Sequence, residues 1–172
     1  MATTTTEFDL ASLLLRSGEA RRLELAVDPG AIVALGQTLV VQDVPVPTRL
    51  EVSRSTTGFA LRLSFSARLG GDCVRCLGPS VREISLEARE IEDLVSNDEE
   101  MRSPYVEDQI LDLAAWAHDV VMLEMPRQFL CGDDCRGLCE TCGSSLNGSD
   151  GAAHRHDGDG DPRFAKLGDL VE

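Results

Sequence analysis

The sequence predicts an α+β fold, with an antiparallel sheet of about five or six strands, one main covering helix and a Cys-rich zinc module towards the C-terminus. Between residues 22 and 89, apolar and polar residues alternate with a period of two, as in strands that bury one face. From residue 112 the apolar residues recur at helical spacing. The six cysteines fall in closely spaced pairs, which is typical of structural zinc sites.

The N-terminal segment predicts a short helix followed by a strand. In residues 8–15, Asp9 can accept hydrogen bonds from the free amide groups of a first helical turn. Residues 22–27 then alternate between polar and apolar side chains, until the Asp-Pro-Gly sequence at 28–30 ends the pattern.

Two more short strands precede the clearest strand pattern in the chain. They are expected at residues 38–44 and 49–55, separated by Pro45 and Pro47, because proline cannot donate to a sheet ladder. In residues 59–69 every second side chain is apolar, so this segment predicts a central strand that buries one face.

A hairpin is predicted around the first cysteine pair. Residues 84–89 alternate as the preceding strand does, which places residues 73–79 in a tight turn between two antiparallel strands. The acidic residues 96–104 lack periodicity and predict a loop.

Residues 112–125 predict the main helix. Trp116 and Val120 lie on one face of this helix, so we expect Trp116 in the core. Asp112 can cap the first turn, and Pro126 stops the helix because its ring excludes a helical hydrogen bond.

The chain shows no segment that could cross a membrane by itself. Its longest apolar runs, at residues 31–35 and 39–41, fall far short of the ~20 residues that a membrane helix needs. The acidic N-terminal segment lacks the positive charge of a secretory signal. We therefore expect a cytoplasmic protein without membrane contact.

The net charge of −14 argues against direct RNA binding, since RNA affinity depends on Lys and Arg at phosphates. From residue 83 to residue 112 there are eleven acids and two arginines. This surface is either solubilising or a docking site for a basic protein partner. The candidate partner-binding residues are Glu90, Glu92, Asp93, Asp98, Glu99 and Glu100.

The cysteines predict zinc binding because a Cys-x-x-Cys turn aims two thiolates at one ion. Cys73-Val-Arg-Cys76 is one such turn and Cys139-Glu-Thr-Cys142 is another, with Cys131 and Cys135 between them in the sequence. In a reducing compartment such pairs are more often metal ligands than disulfides.

Six thiols exceed one tetrahedral site, and the spacing leaves three groupings open. The first joins the turn at 73–76 to Cys131 and Cys135, which leaves Cys139 and Cys142 to be completed by two imidazoles. The histidines His154 and His156 lie downstream where they could supply those ligands, or they belong to a polar tail unrelated to metal. The second grouping uses the cysteines of residues 131–142 alone, and the third joins the two Cys-x-x-Cys turns.

The first grouping also predicts the domain organisation. We expect residues 1–130 to form an α+β core domain and residues 131–172 a Cys-rich zinc-binding module with a flexible tail. A metal site shared with the 73–76 turn would staple the two together. Such an ion would link two segments that lie far apart along the chain.

Catalysis is not expected. The sequence has no nucleophile elbow, phosphate-binding Gly-rich loop or zinc-protease helix, and it predicts no small-molecule substrate. A thiol-disulfide enzyme remains an alternative, but its reactive cysteine normally begins a helix, whereas Cys73 and Cys76 lie between two predicted strands. A direct RNA-binding zinc module is the other alternative.

Several sequence features occur together in this chain: Cys73-Val-Arg-Cys76-Leu77, the helix segment 112–126, Cys131-x3-Cys135-Arg-Gly-Leu-Cys139-x2-Cys142-Gly143, Leu146-Asn147 and Asp161-Pro162-Arg163. In this combination the chain resembles the bacterial YceD family, also called the large ribosomal RNA subunit accumulation proteins. Many similar sequences carry Cys-x-Cys where this chain has His154-Arg-His156.

The resemblance implies a role in synthesis, processing or stability of the large-subunit (23S) ribosomal RNA. The expected partner is then the large ribosomal subunit precursor or a basic assembly protein. A basic protein would reconcile this role with the acidic composition of the chain.

Overall fold

The computed structural model describes residues 4–96, 98–148, 154 and 156, with the side chain of Glu99 left out. Within these residues the fold is α+β, as predicted, with a six-stranded antiparallel sheet, a three-stranded sheet and one α-helix. Two single-turn 3₁₀ helices lie at Ala11–Leu13 and Glu99–Met101. The remaining elements are β1 Glu7–Asp9, β2 Ala20–Val27, β3 Ile32–Ala34, β4 Gln37–Gln42, β5 Val46–Arg54, β6 Gly58–Asp72, β7 Pro79–Asp93, β8 Val106–Glu107, β9 Ile110–Asp112 and α1 Leu113–Leu123.

The 15-residue strand β6 is the centre of the large sheet. One side of β6 pairs with β7 along its whole length, from Gly58↔Asp93 to Asp72↔Pro79. The other side pairs with β5 in its first half and with β4 near its end. The outer strands β2 and β3 pair with β5 and β4, respectively. Both halves of the sheet therefore depend on one long hairpin.

The core lies between the inner face of this sheet and α1. Alternate residues of β6 are buried, among them Leu63 and Leu69 at 0% exposure, which matches the predicted two-residue period. Trp116 of α1 is buried in the same core, as predicted. The Asp112 carboxylate caps α1 by accepting a 2.8 Å hydrogen bond from the Ala115 N–H.

The short helix predicted over residues 8–15 is reduced to a single 3₁₀ turn at Ala11–Leu13, because Phe8 and Asp9 belong to β1, which pairs with β9 from Glu7↔Asp112 to Asp9↔Ile110. The capping function of Asp9 persists on a smaller scale. Its carboxylate accepts hydrogen bonds from the N–H groups of Ala11 (2.8 Å) and Ser12 (3.2 Å), which start a single 3₁₀ turn.

Besides β1, three other short strands were not predicted from the sequence. Strand β3 lies in an apolar run too short to show a period, and β8 and β9 form a hairpin of two and three residues. Pro47 lies inside β5, where it pairs with Ala26 of β2. The pairing of β5 with β6 starts only at Thr48, so Pro47 lies outside the doubly paired part of the strand.

None of the helices in the described part of the chain is long and apolar enough to cross a membrane. The predicted flexible tail falls mostly outside the described residues. The division of the chain at residue 130 stays a prediction.

Candidate metal centre

The first Cys-x-x-Cys pair occupies the turn that joins β6 to β7. The turn is closed by hydrogen bonds from the Cys73 N–H to the Gly78 carbonyl (2.8 Å) and from the Leu77 N–H to the Cys73 carbonyl (2.9 Å). Leu77 has a φ of 57°, in the left-handed region that usually takes glycine. This tight geometry directs the thiols of Cys73 and Cys76 to the same side of the hairpin.

The segment after α1 returns to this turn. Phe129 is fully buried, and its carbonyl accepts a 2.9 Å hydrogen bond from the Val74 N–H. The Ser80 hydroxyl donates to the Leu130 carbonyl at 2.9 Å, and the Arg75 guanidinium donates to the Cys135 carbonyl at 3.0 Å. These contacts place Cys131 and Cys135 opposite the hairpin turn.

The four thiols converge on one point. The Sγ atoms of Cys73 and Cys135 are 3.7 Å apart, those of Cys76 and Cys131 are 3.6 Å apart, and all four lie within 4.8 Å of one another. A tetrahedral zinc ion with bonds of about 2.3 Å has sulfur–sulfur edges of about 3.8 Å. The spacing of these four thiols, which we name the four-cysteine cluster, therefore fits the ligands of a tetrahedral metal ion.

A second cluster contains Cys139, Cys142, His154 and His156, whose ligand atoms also lie within 4.8 Å of one another. His156 Nε2 is 3.1 Å from Cys139 Sγ, and His154 Nε2 is 3.3 Å from Cys142 Sγ. The two Nε2 atoms are 2.9 Å apart. Two thiolates and two imidazoles form a borderline-soft donor set that suits zinc, so this Cys2His2 cluster can also hold a metal ion.

The second cluster is built on another tight turn. The Gly143 N–H donates to the Cys139 carbonyl at 2.8 Å, and the Cys139 N–H donates to the Ser144 carbonyl at 2.8 Å. Gly143 has a φ of 72°, which a side chain would strain. Leu138 and Ser145 form a β-bridge across the same turn.

Cys73 and Cys131 of the four-cysteine cluster and Cys139 of the second cluster have strongly shifted pKa values. Burial raises the pKa of Cys73, but backbone N–H groups of Cys76 and Arg75 outweigh burial and lower this pKa to about 6. Hydrogen bonds with Cys135 and Cys76 raise the pKa of Cys131 to about 12. Four thiols at this spacing cannot all ionise alone, and a divalent cation is the group that would stabilise their thiolates.

In the second cluster, backbone N–H groups of Cys142 and Thr141 lower the pKa of Cys139 to about 6, against burial and with help from His156 and His154. The turns at both clusters thus favour a thiolate at their first cysteine. A thiolate is the form that binds metal.

The eight predicted metal ligands are therefore brought together as in the first of the three groupings. The zinc identity of the metal stays a prediction. Sequence reasoning missed two residues that support the four-cysteine cluster. Arg75 bonds the Cys135 carbonyl, and Asn147 donates to Cys135 Sγ at 3.4 Å while accepting from the Arg136 N–H at 2.7 Å. The only signal for Asn147 was its place in the family resemblance.

The predicted partner-binding acids have different surroundings. Asp98 and Glu100 are exposed, and Glu90 is half-buried, where burial raises the pKa of its carboxyl. Asp93 accepts hydrogen bonds from the N–H groups of Val95 and Ser96 at the end of β7. The Glu99 side chain lies outside the described part of the structure.

Glu92 departs from the predicted surface because its side chain is only 1% exposed. It points to the inner face of β7, where its carboxylate accepts a 2.8 Å hydrogen bond from the Ser103 N–H. Arg102 lies 3.4 Å from the same carboxylate. Glu92 therefore fixes the loop that follows β7 and is not available to a partner.

The fold and site define a class of small α+β proteins in which a long hairpin and a C-terminal Cys/His module hold two clusters of metal-binding groups. The model of the family described as "Large ribosomal RNA subunit accumulation protein YceD" matches residues 61–171 of the chain. The chain belongs to the YceD family.

Similar proteins occur in mycobacteria. Uncharacterized proteins of Mycobacterium tuberculosis and Mycobacterium bovis are each 30% identical to the chain over 171 residues, covering 95% of this chain and 80% of the relative. An uncharacterized protein of Mycobacterium leprae is 28% identical over 169 residues, covering 95% of this chain and 76% of the relative. No solved structure matches the chain.

Proposed function

We propose that this protein is a non-enzymatic zinc-binding protein of the bacterial cytoplasm that supports synthesis, processing or stability of the large-subunit ribosomal RNA. The observation that carries the proposal is the four-cysteine cluster, together with the match of residues 61–171 to a family described by large ribosomal RNA subunit accumulation. Free thiols that are arranged as metal ligands favour a location in a reducing compartment.

The metal in this proposal has a structural role. Four thiolates fill a tetrahedral zinc ion and leave no open position for a substrate or a water molecule. Cys73 and Cys76 would hold the ion from the β6–β7 turn, and Cys131 and Cys135 would hold it from the segment after α1. The ion would thus fix the C-terminal segment on the end of the central hairpin.

The partner we propose is a basic protein of large-subunit assembly. Acids outnumber Lys and Arg by 30 to 16, so the chain repels RNA phosphates and attracts a basic protein surface. The exposed Asp98 and Glu100, with the half-buried Glu90 and Asp93, are the candidate contacts. Glu92 is left out because it is buried.

The function is tested in a strain that lacks the gene. We expect reduced large-subunit ribosomal RNA relative to small-subunit RNA, restored by the wild-type gene but not by a Cys73→Ser/Cys135→Ser variant. A matched variant, Ser66→Ala/Ser85→Ala, changes two small residues on the exposed face of the same hairpin and should restore the RNA. Equal restoration by all three genes would contradict the proposal.

Two rival functions predict other results. A thiol-disulfide enzyme would reduce an insulin-type disulfide substrate and would lose its activity in Cys76→Ser. A direct RNA-binding module would bind purified ribosomal RNA with a steep dependence on salt concentration. Affinity purification from growing cells, with protein and RNA both identified, distinguishes these functions from the proposed protein partner.

A further inference from the structure

Strand β7 has a free edge of unusual length. It spans 15 residues, or about 50 Å of extended chain. In the described part of the chain, β7 pairs with β6 on one side and with no strand on the other. Such an edge is a template for another strand, and proteins normally shorten it or cover it.

The register of the hairpin decides which backbone groups face outwards. At one end the Cys73 N–H donates to the Gly78 carbonyl, and at the other the Leu94 N–H donates to the Thr57 carbonyl. Both bonds belong to the same antiparallel ladder, so even-numbered residues of β7 bond to β6. The N–H and C=O groups of odd-numbered residues from 81 to 91 therefore point away from β6. Pro79, which has no N–H, fits this assignment.

The side chains of these odd-numbered residues all lie on the exposed face of the sheet. Val81 and Ile91, near the two ends of β7, are 48% and 56% exposed although both are apolar. Glu83 and Arg89 lie between them, and the Arg89 side chain is 72% exposed. The outer four of these residues read apolar, acidic, basic, apolar along the strand, an order that is complementary to its own reverse. Ser85 and Glu87 stand between them, and Glu87 forms a 3.1 Å ion pair with Arg89 at the surface.

We propose that a second copy of this chain is the partner of this edge: two β7 strands pair antiparallel about a two-fold axis, with Val81 opposite Ile91 and Glu83 opposite Arg89. Each contact then occurs twice, as a two-fold interface requires. Apolar and opposite-charge pairs facing each other across strands are stabilising.

The inner face of the strand agrees with the same register. In that register Leu86 meets Leu86 of the second copy on the axis, and Ile84 meets Ala88. Ile84 and Ala88 are only half-buried in one chain, whereas the β6 residues beside them are fully buried. Pairing would complete the burial of the sheet at this edge.

Shifted registers are less favourable because they bring like charges together. Moving the axis to Ser85 places Glu83 opposite Glu87, and moving it to Glu87 places Glu87 opposite itself. Like charges directly opposite on neighbouring strands are destabilising. The side-chain sequence of β7 thus favours the register centred on Leu86 over the two registers next to it.

The test is the mass of the purified full chain in sedimentation experiments between about 1 and 100 µM, since dimer formation depends on concentration. We expect a dimer. Arg89→Glu places two glutamates opposite each other twice and should weaken the dimer about tenfold or more. Glu83→Arg combined with Arg89→Glu exchanges the charges and should restore it.

Two further variants complete the test. Arg21→Glu makes the same charge change on β2, at the opposite edge of the sheet, and should leave the dimer unchanged. Ser85→Pro removes an outward N–H without removing a backbone hydrogen bond to β6; it loses only the exposed 3.3 Å contact of the Ser85 hydroxyl with the Ser66 hydroxyl. It should give a monomer with unchanged circular dichroism and metal content. A monomeric wild-type chain, or a dimer equally weakened by Arg21→Glu and Arg89→Glu, would overturn the proposal.

Discussion

Cys76 Sγ lies 3.6 Å from Cys131 Sγ, although 55 residues separate the two cysteines in the chain. Cys76 belongs to the β6–β7 turn and Cys131 to the segment after α1, so the contact joins the central hairpin to the segment that follows the helix. Because Cys131 is exposed, apolar packing does not explain its position. Hydrogen bonds of the Phe129 and Leu130 carbonyls position the segment, and a shared metal ion would account for the approach of the exposed thiol itself. Cys131 is therefore a probe of metal binding.

The first prediction is that Cys131→Ser releases one equivalent of zinc and lowers the free energy of unfolding by at least about 2 kcal/mol. Structural zinc contributes its binding energy to folding, whereas an exposed cysteine-to-serine change without metal alters stability by only about 0.5 kcal/mol. Elemental analysis and denaturant unfolding measure the two effects. A chelator should destabilise the wild-type chain more than the variant, because the variant has only the ion of the Cys2His2 cluster left to lose. Unchanged zinc content in Cys131→Ser would contradict the assignment.

The second prediction concerns the Cys2His2 cluster. His154→Ala should lower the zinc content from two ions to one and leave the four-cysteine cluster loaded, because the two ligand sets share no residue. His154→Cys with His156→Cys should restore the second ion. Cobalt(II) substitution distinguishes the sites, since four thiolates and a mixed sulfur–nitrogen set give different spectra. One zinc ion per wild-type chain would rule out the second site.

The third prediction is that Glu92→Ala costs about 1–3 kcal/mol of stability, because it leaves the Ser103 N–H buried without its acceptor. Glu92→Gln keeps an acceptor oxygen and should cost less. Urea unfolding measures both, with Glu87→Ala on the exposed face of β7 as the control. Equal effects of Glu92→Ala and Glu87→Ala would show that Glu92 does not fix the loop.

Sequence periodicity predicted the long elements because these bury one complete face. The alternation of residues 59–69 has its counterpart in β6, and the helical spacing after Asp112 has its counterpart in α1. Elements of two or three residues, such as β8, carry no period and depend on contacts with distant segments. Phe8 and Asp9 show the same limit, because their pairing with β9 restricts the predicted helix to the 3₁₀ turn at Ala11–Leu13.

For the site, the sequence predicted ligand types but left their grouping open. A Cys-x-x-Cys spacing reports a local turn, whereas the choice between three groupings depends on where the chain goes after α1. No sequence pattern indicated that Phe129 anchors that segment in the core. Glu92 was assigned to an acidic surface because sequence charge does not reveal which face of β7 it occupies, although the period of β7 places it on the same face as Leu86.

The fourth prediction uses Tyr105, the single tyrosine of the chain. Burial, together with a 3.0 Å hydrogen bond to Asp119, raises the pKa of Tyr105 to about 12. The raised pKa favours the neutral phenol in the folded chain. Its contribution to stability is therefore present below the unfolded pKa of about 10 and lost as the pH rises through about 12. Tyrosinate absorbance should titrate late in the folded chain, and Asp119→Asn should lower the midpoint. A midpoint near 10 in the native protein would contradict the structure.

The last prediction is that the exposed acids after β7 steer association with a basic partner. Asp98 and Glu100 are exposed, whereas Glu92 is buried and Asp93 holds the backbone of the following turn. The Asp98 carboxylate accepts a 3.0 Å hydrogen bond from the Glu100 N–H, but this bond is exposed and belongs to the single 3₁₀ turn at Glu99–Met101. Charge reversal at the two exposed positions should therefore leave the remaining fold intact. Exposed charges at the rim of an interface act mainly on the association rate, and salt screens them.

For Asp98→Lys with Glu100→Lys we expect slower capture of the basic large-subunit assembly protein and a flatter dependence of that rate on salt. The proportion of large-subunit RNA in a complemented deletion strain should fall accordingly. Glu24→Lys with Glu51→Lys makes the same charge change on the β2–β5 face and is the control. If the first variant binds at the wild-type rate and restores the RNA, the acidic residues serve solubility alone. If both variants are equally slow, total charge and not this surface sets the rate.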